Sequence, residues 1–311
     1  MKTGRRRVGI IGKTPPPYGG VTVHIDRLID LVSTDFPEYE IVLINNWLKL
    51  YQIPILDVVH VHQNNPRIRF LIVILLKIFR LKIICTYHRD HNREYGFNQS
   101  LTRLTSKLVS RWVTLNEGSY NYFKALGKVN VIRSSSFIPP SKSQINSITP
   151  HIRNLQNLKI NYELIICTCA HHYREYKGKD IYGIEEVLTL AKSFTEYLWI
   201  LADPSGEYSK LLPDKVIYRK NIYIISEQHD FIPIINLSDV YVRNTNTDGD
   251  SVSVKEALFL GKNCLATNII DRPKGCITYN IGDLHSQINK LKKVVDPTNV
   301  ETLNPIDLYE F

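Results

Sequence analysis

Apolar positions follow two alternating rhythms along the 311-residue chain. Short, nearly continuous Val/Ile-rich runs recur at Val8–Ile11, Ile41–Ile44, Val58–Val61, Lys82–Tyr87, Trp112–Leu115 and Val129–Ile132. Between them lie longer stretches with helical spacing, such as Val23–Val32 and Ile68–Phe79. Runs of this kind fit strands buried on both faces, and their alternation with helices predicts a parallel sheet in an α/β fold.

Pro139, Pro140, Ser141 and Ser143 open a polar stretch that reads as a linker to about Asn157. The rhythm then restarts with Leu164–Cys169, Leu198–Ala202, Ile222–Ile225, Val240–Val242, Cys264–Thr267 and Cys276–Thr278. Two similar α/β domains are expected, 1–150 and 151–311. The default ligand site is the cleft between them, facing the carboxyl ends of both sheets.

Composition narrows the class. With 43% hydrophobic and 22% charged residues the chain is globular, neither disordered nor collagen-like. No apolar run reaches the roughly 20 residues of a membrane span, and the N-terminus enters a strand-like run with no signal-peptide core. Five cysteines, an odd number inside apolar stretches, suggest reduced thiols and a cytoplasmic location. The net charge of +9 is unevenly spread: 20 Lys/Arg face 9 Asp/Glu up to Pro140, against 19 and 21 beyond it. The first half is therefore expected to meet an anionic partner: nucleic acid, an acidic membrane surface or a phosphorylated substrate.

Two segments carry candidate chemistry. After the first strand, Gly19-Gly20 precedes a helix, an arrangement that lets an anion approach backbone N–H groups. The spacing matches neither the dinucleotide fingerprint nor a Walker loop, and a tight packing turn is the alternative. The second segment runs from Asp248 through Gly249, Asp250, Ser251, Val252 and Ser253 to Glu256 and Gly261. Asp250 or Ser251 is placed to cap a helix ending at Gly261, whose first N–H groups suit a diphosphate. Glu256 leans back over that turn, where a carboxylate can accept from vicinal ribose hydroxyls, and Asp248 is placed to do the same for a sugar. A capped surface helix is one alternative, and a divalent ion on Asp248 and Asp250 is another.

These segments, with Asp57-Val-Val-His-Val-His62, Thr86-Tyr-His88 and Lys177-Gly178, occur in the order seen in glycosyltransferase family 4, which the chain resembles over about residues 7–290. The resemblance implies the GT-B fold, two Rossmann-like parallel-sheet domains facing a central cleft. It also implies metal-independent, retaining transfer from a sugar nucleotide, with no cofactor beyond that donor. By the same resemblance Gly19 and Gly20 would lie against the donor phosphates, His88 beside the transferred sugar, Lys177 on the diphosphate, Glu256 on the ribose and Asp248 near the sugar hydroxyls. Asp248 stands where the family has Glu. His171 and His172 stand where it has Arg, leaving Arg174 as the nearest guanidinium.

Other clusters are weighed beside these. Cys167, Cys169, His171 and His172 have zinc-like ligand types, although alternate strand cysteines are usually buried hydrophobes. His60 and His62 share a strand face and are expected to line the cleft. His88 and Asp90, at the end of the fourth strand, are candidates for a base if the reaction inverts. Ile68–Phe79, rimmed by Arg67, Arg69, Lys77, Arg80 and Lys82, reads either as a helix buried on the sheet or as a contact with anionic lipid.

The expectation is a cytoplasmic, peripherally membrane-associated hexosyl- or N-acetylhexosaminyl-transferase. It would move a sugar from a nucleoside diphosphate, with UDP as the working choice, to a glycan or polyprenyl-diphosphate-linked glycan. Bacterial surface polysaccharide such as O-antigen or lipopolysaccharide is the expected destination. The rivals are a GT-B sugar-nucleotide epimerase, a catalytically inactive sugar-binding module and a basic nucleic-acid-binding protein. The first half shows no nucleic-acid motif, so no nucleic-acid partner is expected.

Overall fold

The computed structural model describes residues 5–88, 94–127, 130–212, 219–291 and 300–309. The chain forms two units: residues 1–15, 19–138 and 301–311, and residues 16–18 and 139–300.

The first unit holds β1 (Arg6–Ile11), α1 (Gly20–Asp35), β2 (Tyr39–Ile44), β3 (Val58–Val61), α2 (Pro66–Ile78), β4 (Lys82–Tyr87), α3 (Gly96–Leu108), β5 (Arg111–Thr114), α4 (Glu117–Ala125) and β6 (Val131–Arg133). Its strands form one parallel sheet in the order β2-β1-β3-β4-β5-β6. Val8, Ile10, Val58, Val59, Ile83 and Ile84 are fully buried, as near-continuous apolar strands require. Every strand run read from the sequence of this unit has a strand; Val129, the first residue of the sixth run, lies outside the described residues.

The second unit adds α5 (Lys142–Ile145), α6 (Pro150–Lys159), β7 (Leu164–Cys169), β8 (Glu175–Tyr176), β9 (Lys179–Asp180), α7 (Ile184–Leu190), β10 (Tyr197–Ala202), α8 (Glu207–Leu211), β11 (Ile222–Ile225), α9 (Ile232–Leu237), β12 (Val240–Arg243), α10 (Val252–Phe259), β13 (Asn263–Thr267), β14 (Ile277–Tyr279) and α11 (Leu284–Ile288). Its parallel sheet runs β11-β10-β7-β12-β13-β14. Counted within the unit this is the order 3-2-1-4-5-6 of doubly wound dinucleotide folds. The strand order reverses between β1 and β3 in one sheet and between β7 and β12 in the other. Connections leave those neighbouring carboxyl ends toward opposite faces and open a crevice there.

Three expectations change. The polar stretch after Pro139 contains α5 and α6. Thr149 caps α6 through the Ile152 N–H at 3.2 Å, Pro150 opens it, and Ile152 with Leu155 gives it a narrow buried stripe. The C-terminal residues, expected with the second domain, group instead with the first unit. There α12 (Pro305–Tyr309) buries Leu308 and Tyr309, and its Asp307 and Tyr309 carbonyls accept from Arg111 and Arg6 at 2.9 and 2.8 Å. Finally, Arg69 is not a rim cation. It is buried inside α2, donates to Thr102 at 2.6 Å and to Glu94 at 3.5 Å, and stacks near Trp112. The exposed face of α2 instead carries Ile68, Leu71, Ile74, Leu75 and Ile78.

Candidate active site

The β7/β12 switch point of the second unit gathers the Asp248–Glu256 segment. Helix α10 starts there and ends in a Schellman turn: Lys262 N–H bonds the Ala257 carbonyl, Gly261 N–H bonds that of Leu258, and Gly261 has φ +68°. Ser251 occupies the cap position but its side chain makes no capping bond; its Oγ lies 3.2 Å from that of Ser253. Ser253 is also 2.7 Å from the Tyr241 hydroxyl, which fixes the first turn to β12. The expected side-chain cap by Asp250 or Ser251 is thus not formed by Ser251, and Asp250 pairs with Lys255 at 2.7 Å. Glu256 is buried on α10; the thiolate of Cys169, at the end of β7, is disfavoured chiefly by burial and additionally by the Glu256 charge.

Asp248 is the most constrained acid. Arg243, at the end of β12, grips it with Nε and Nη2 at 3.2 Å each, and Arg272 adds a contact at 2.9 Å. Burial by itself would raise its pKa, but the two guanidiniums outweigh this and hold it at about 2. The carboxylate expected beside a sugar is therefore committed to two arginines, and Asp248 and Asp250 each meet a cationic side chain rather than forming an open pair of metal ligands. Arg243, Arg272 and Lys255 were missed in the sequence. Their only sequence signal is a basic residue at the strand end and basic residues near the acids, which spacing cannot pair.

Lys177 sits at the tip of the β8–β9 hairpin, where Lys177 and Gly178 both have positive φ (+54° and +70°), as a two-residue turn of this type requires. Its ammonium lies 5.4 Å from the Tyr176 ring centroid and the residue is exposed, as is Arg174. The hairpin base is stitched to the segment before Asp248. Asn246 donates to the Asp180 carbonyl at 3.0 Å, and Asn244 donates to Glu186 at 2.9 Å and accepts from Tyr279 at 3.0 Å. Gly183 is needed here: its φ is +56°, and a Cβ would fall 2.8 Å from the Asn244 carbonyl oxygen. Two sequence-singled regions, 70 residues apart, are thereby joined.

At the β1/β3 switch point of the first unit, Gly19 caps α1 without a side chain, and a Cβ on Gly20 would meet nothing within 4 Å. Packing against its own chain therefore does not demand glycine at 20. His62, after β3, and His88, after β4, face each other with Nδ1 and Nε2 3.0 Å apart, and His24 of α1 packs against both rings at 5.5 Å. His60 is spent on the Tyr309 hydroxyl at 3.1 Å and Thr86 at 2.7 Å. Burial and neighbouring imidazoles push His62 and His88 well below the ordinary histidine value. Asp90, the other base candidate, lies outside the described residues. Cys167 and Cys169 do not join His171 and His172 in a metal-ligating group: among the described residues the cluster within ligand reach is His24, His62 and His88. Cys167 is fully buried, with burial raising its thiol to about 12.

No protein-family model and no curated protein matches the chain. Solved structures do. The chain is similar to sucrose-phosphate synthase from Thermosynechococcus elongatus, with TM-score 0.70 and 10% identity over 92% of this chain and 89% of that one. It is similar to HepE from Anabaena in complex with UDP, with TM-score 0.64 and 13% identity over 92% and 89%. The fold is GT-B. A third similar structure, a Listeria monocytogenes protein assigned as a UDP-N-acetylglucosamine 2-epimerase, has TM-score 0.59 and 13% identity over 93% and 88%. Gly19, Gly20 and His62 follow the strands that flank the first sheet's switch point, His88 follows the next strand, β4, and Asp248 to Glu256 follow β12 at the second sheet's switch point. Among the described residues, no helix is long and apolar enough to cross a membrane.

Proposed function

We propose that the protein is a glycosyltransferase that uses a nucleoside-diphosphate sugar. The observation carrying this reading is the start of α10: a helix N-terminus at a topological switch point, left uncapped by Ser251, with the buried Glu256 carboxylate one turn in. Free N–H groups there suit a diphosphate, and Glu256 suits the ribose hydroxyls. Lys177 and Arg174, both exposed, supply positive charge for the leaving group; in the first unit, Gly19 and Gly20 leave the α1 terminus open to an anion. We assign His88, in the first unit, a contact with the sugar. In a retaining reaction the departing phosphate oxygen takes the acceptor proton, so no separate protein base is needed, and the N–H groups and Lys177 stabilise the charge left behind. We assign Asp248 the positioning of Arg243 and Arg272, because both of its oxygens are engaged by them. The similar structures support the donor: sucrose phosphate contains a glycosidic bond, and HepE is solved with UDP and with UDP-glucose.

For the acceptor we propose a glycan or a polyprenyl-diphosphate-linked glycan at the inner face of a membrane, in surface polysaccharide synthesis. The exposed aliphatic face of α2 and the first-half charge support it: neither α2 nor α3 contains an acid, while Arg67, Lys77, Arg103 and Lys107 lie on them. A second reading, a sugar-nucleotide epimerase, is favoured by the Listeria likeness; product formed from donor without acceptor distinguishes it.

The test is thermal shift with UDP, GDP, CMP, ADP and dTDP. A nucleotide at 100 times its Kd adds about 2.7 kcal/mol of stability. Glu256→Gln should weaken the binding nucleotide by ~1.5–3 kcal/mol, about 10- to 150-fold. Silence from all five nucleotides, or unchanged affinity in the variant, refutes the site.

A further inference from the structure

We infer that Cys264 and Cys276 form a modification site: a thiol pair that a small-molecule disulfide, such as oxidised glutathione, converts reversibly into an intramolecular disulfide. The site lies wholly within the second unit. It goes beyond the glycosyl-transfer reading and does not rest on it.

Both thiols are free, and their sulfurs lie 3.8 Å apart. The edge strand β14 pairs in parallel with β13, with Leu265 opposite Ile277. Cys264 and Cys276, each one residue earlier, therefore enter that ladder side by side. Neighbouring strands are about 4.8 Å apart, inside the roughly 4.4–6.8 Å between α-carbons that a disulfide spans. The sulfurs need to approach by only ~1.8 Å to reach the bonded distance of about 2.05 Å. The turn before β14 brings Cys276 into place: its N–H bonds the Pro273 carbonyl at 3.1 Å, and Gly275 has φ +91°. Cys169, by contrast, meets the Tyr241 and Ser253 hydroxyls at 3.6 and 3.9 Å, and Cys85 and Cys167 are fully buried.

The two sulfurs differ in the way thiol–disulfide exchange uses. Cys276 is half-buried between the exposed Lys274, Gly275 and Ile277, so a small reagent reaches it, whereas Cys264 is fully buried. The Cys264 thiol and the Arg272 guanidinium favour the Cys276 thiolate and outweigh its burial, while burial pushes the Cys264 thiol up. The Cys276 thiolate attacks one sulfur of oxidised glutathione; its S–S bond breaks, and one glutathione thiolate leaves. Cys264 passes its proton to that thiolate and attacks the Cys276 sulfur, expelling the second glutathione, which takes up the proton Cys276 released. Two protein thiols are thus oxidised and one glutathione disulfide is reduced to two thiols. The new bond closes the ring from Cys264 to Cys276, whose loop carries Arg272. Arg272 donates to Asp248 at 2.9 Å and to the Thr267 carbonyl at 3.0 Å, so the bond ties both ends of the segment that grips this acid.

The test incubates the full-length protein with glutathione at increasing ratios of oxidised to reduced form, then alkylates under denaturing conditions. Two of the five thiols should become protected, and dithiothreitol should restore them. Trypsin should release peptides 263–274 and 275–290 joined by a disulfide, since Lys262, Lys274 and Lys290 bound them. Amides of residues 268–275 should exchange at least ~10-fold more slowly in the oxidised protein. Cys264→Ser should trap glutathione on Cys276, and Cys276→Ser should leave its four thiols free. Should a variant misfold, the wild-type peptide map decides. Five alkylatable thiols at every ratio, glutathione held stably on wild-type Cys276, a bond joining other cysteines, or unchanged exchange in the loop would each overturn the inference. No nucleotide enters the experiment, so failure of the donor site leaves its outcome untouched.

Discussion

Asp248→Asn tests whether the core of the candidate active site is electrostatic. The variant keeps the shape and removes the charge that Arg243 and Arg272 share, with those side chains only 14% and 1% exposed. Two routes bound the effect. The two guanidiniums hold Asp248 at about 2 in the folded protein against an ordinary 3.8, which corresponds to ~2 kcal/mol. Breaking a buried pair and stranding its partner costs about 3–5 kcal/mol. The first value compares charged with neutral oxygen in the same place and is the floor. The loss at neutral pH should thus fall between about 2 and 5 kcal/mol. For a unit of this size that lowers Tm by roughly 5–20 °C. The pH dependence has a definite sign. The folded pKa is depressed, so the contribution is complete above about pH 4 and fades as pH falls toward about 2. Urea unfolding of both proteins from pH 7 to pH 2.5 should show the gap narrowing only below pH 4. A gap under about 0.5 kcal/mol at pH 7, or one constant down to pH 2.5, would refute the account. Arg272→Met added to Asp248→Asn should recover part of the loss, because it removes the stranded charge.

Lys177→Ala should cost under about 0.5 kcal/mol of stability, since the residue is exposed, yet lower turnover ~100-fold or more; normal turnover removes it from the leaving-group role. Gly183→Ala should destabilise by roughly 2–5 kcal/mol in thermal melts, combining a positive φ with the clash against Asn244; a neutral outcome would show that the hairpin and the Asp248 segment are not rigidly joined. Leu71→Glu with Ile78→Glu should reduce co-sedimentation with phosphatidylglycerol vesicles at least ~10-fold while sparing UDP binding; equal sedimentation would remove α2 as the membrane contact.

Much of the architecture was legible because strands buried on both faces must be continuously apolar. Val8–Ile11, Lys82–Tyr87 and Leu164–Cys169 needed no tertiary information to be read as strands. The helix after Asp250 and its stop at Gly261 were legible for a similar reason, since a left-handed residue is needed at that turn. Helix α6 was missed because its buried stripe is only Ile152 and Leu155 within a polar segment. Arg69 was misplaced because its partners, Thr102 and Glu94, lie more than 20 residues away.

What the sequence by itself determined is the alternation of strands and helices, the two α/β halves and the glycine-bounded helix at Asp248–Gly261. Each of these follows from backbone geometry and from which side chains tolerate burial, properties carried by neighbouring residues. Only the tertiary structure decided the strand orders, the return of the C-terminal helix to the first sheet, the capture of Asp248 by Arg243 and Arg272, and the meeting of His24, His62 and His88. Those depend on distances between positions far apart in the chain, and a charge or a lone pair acquires its role only from what the fold sets within a few ångströms of it.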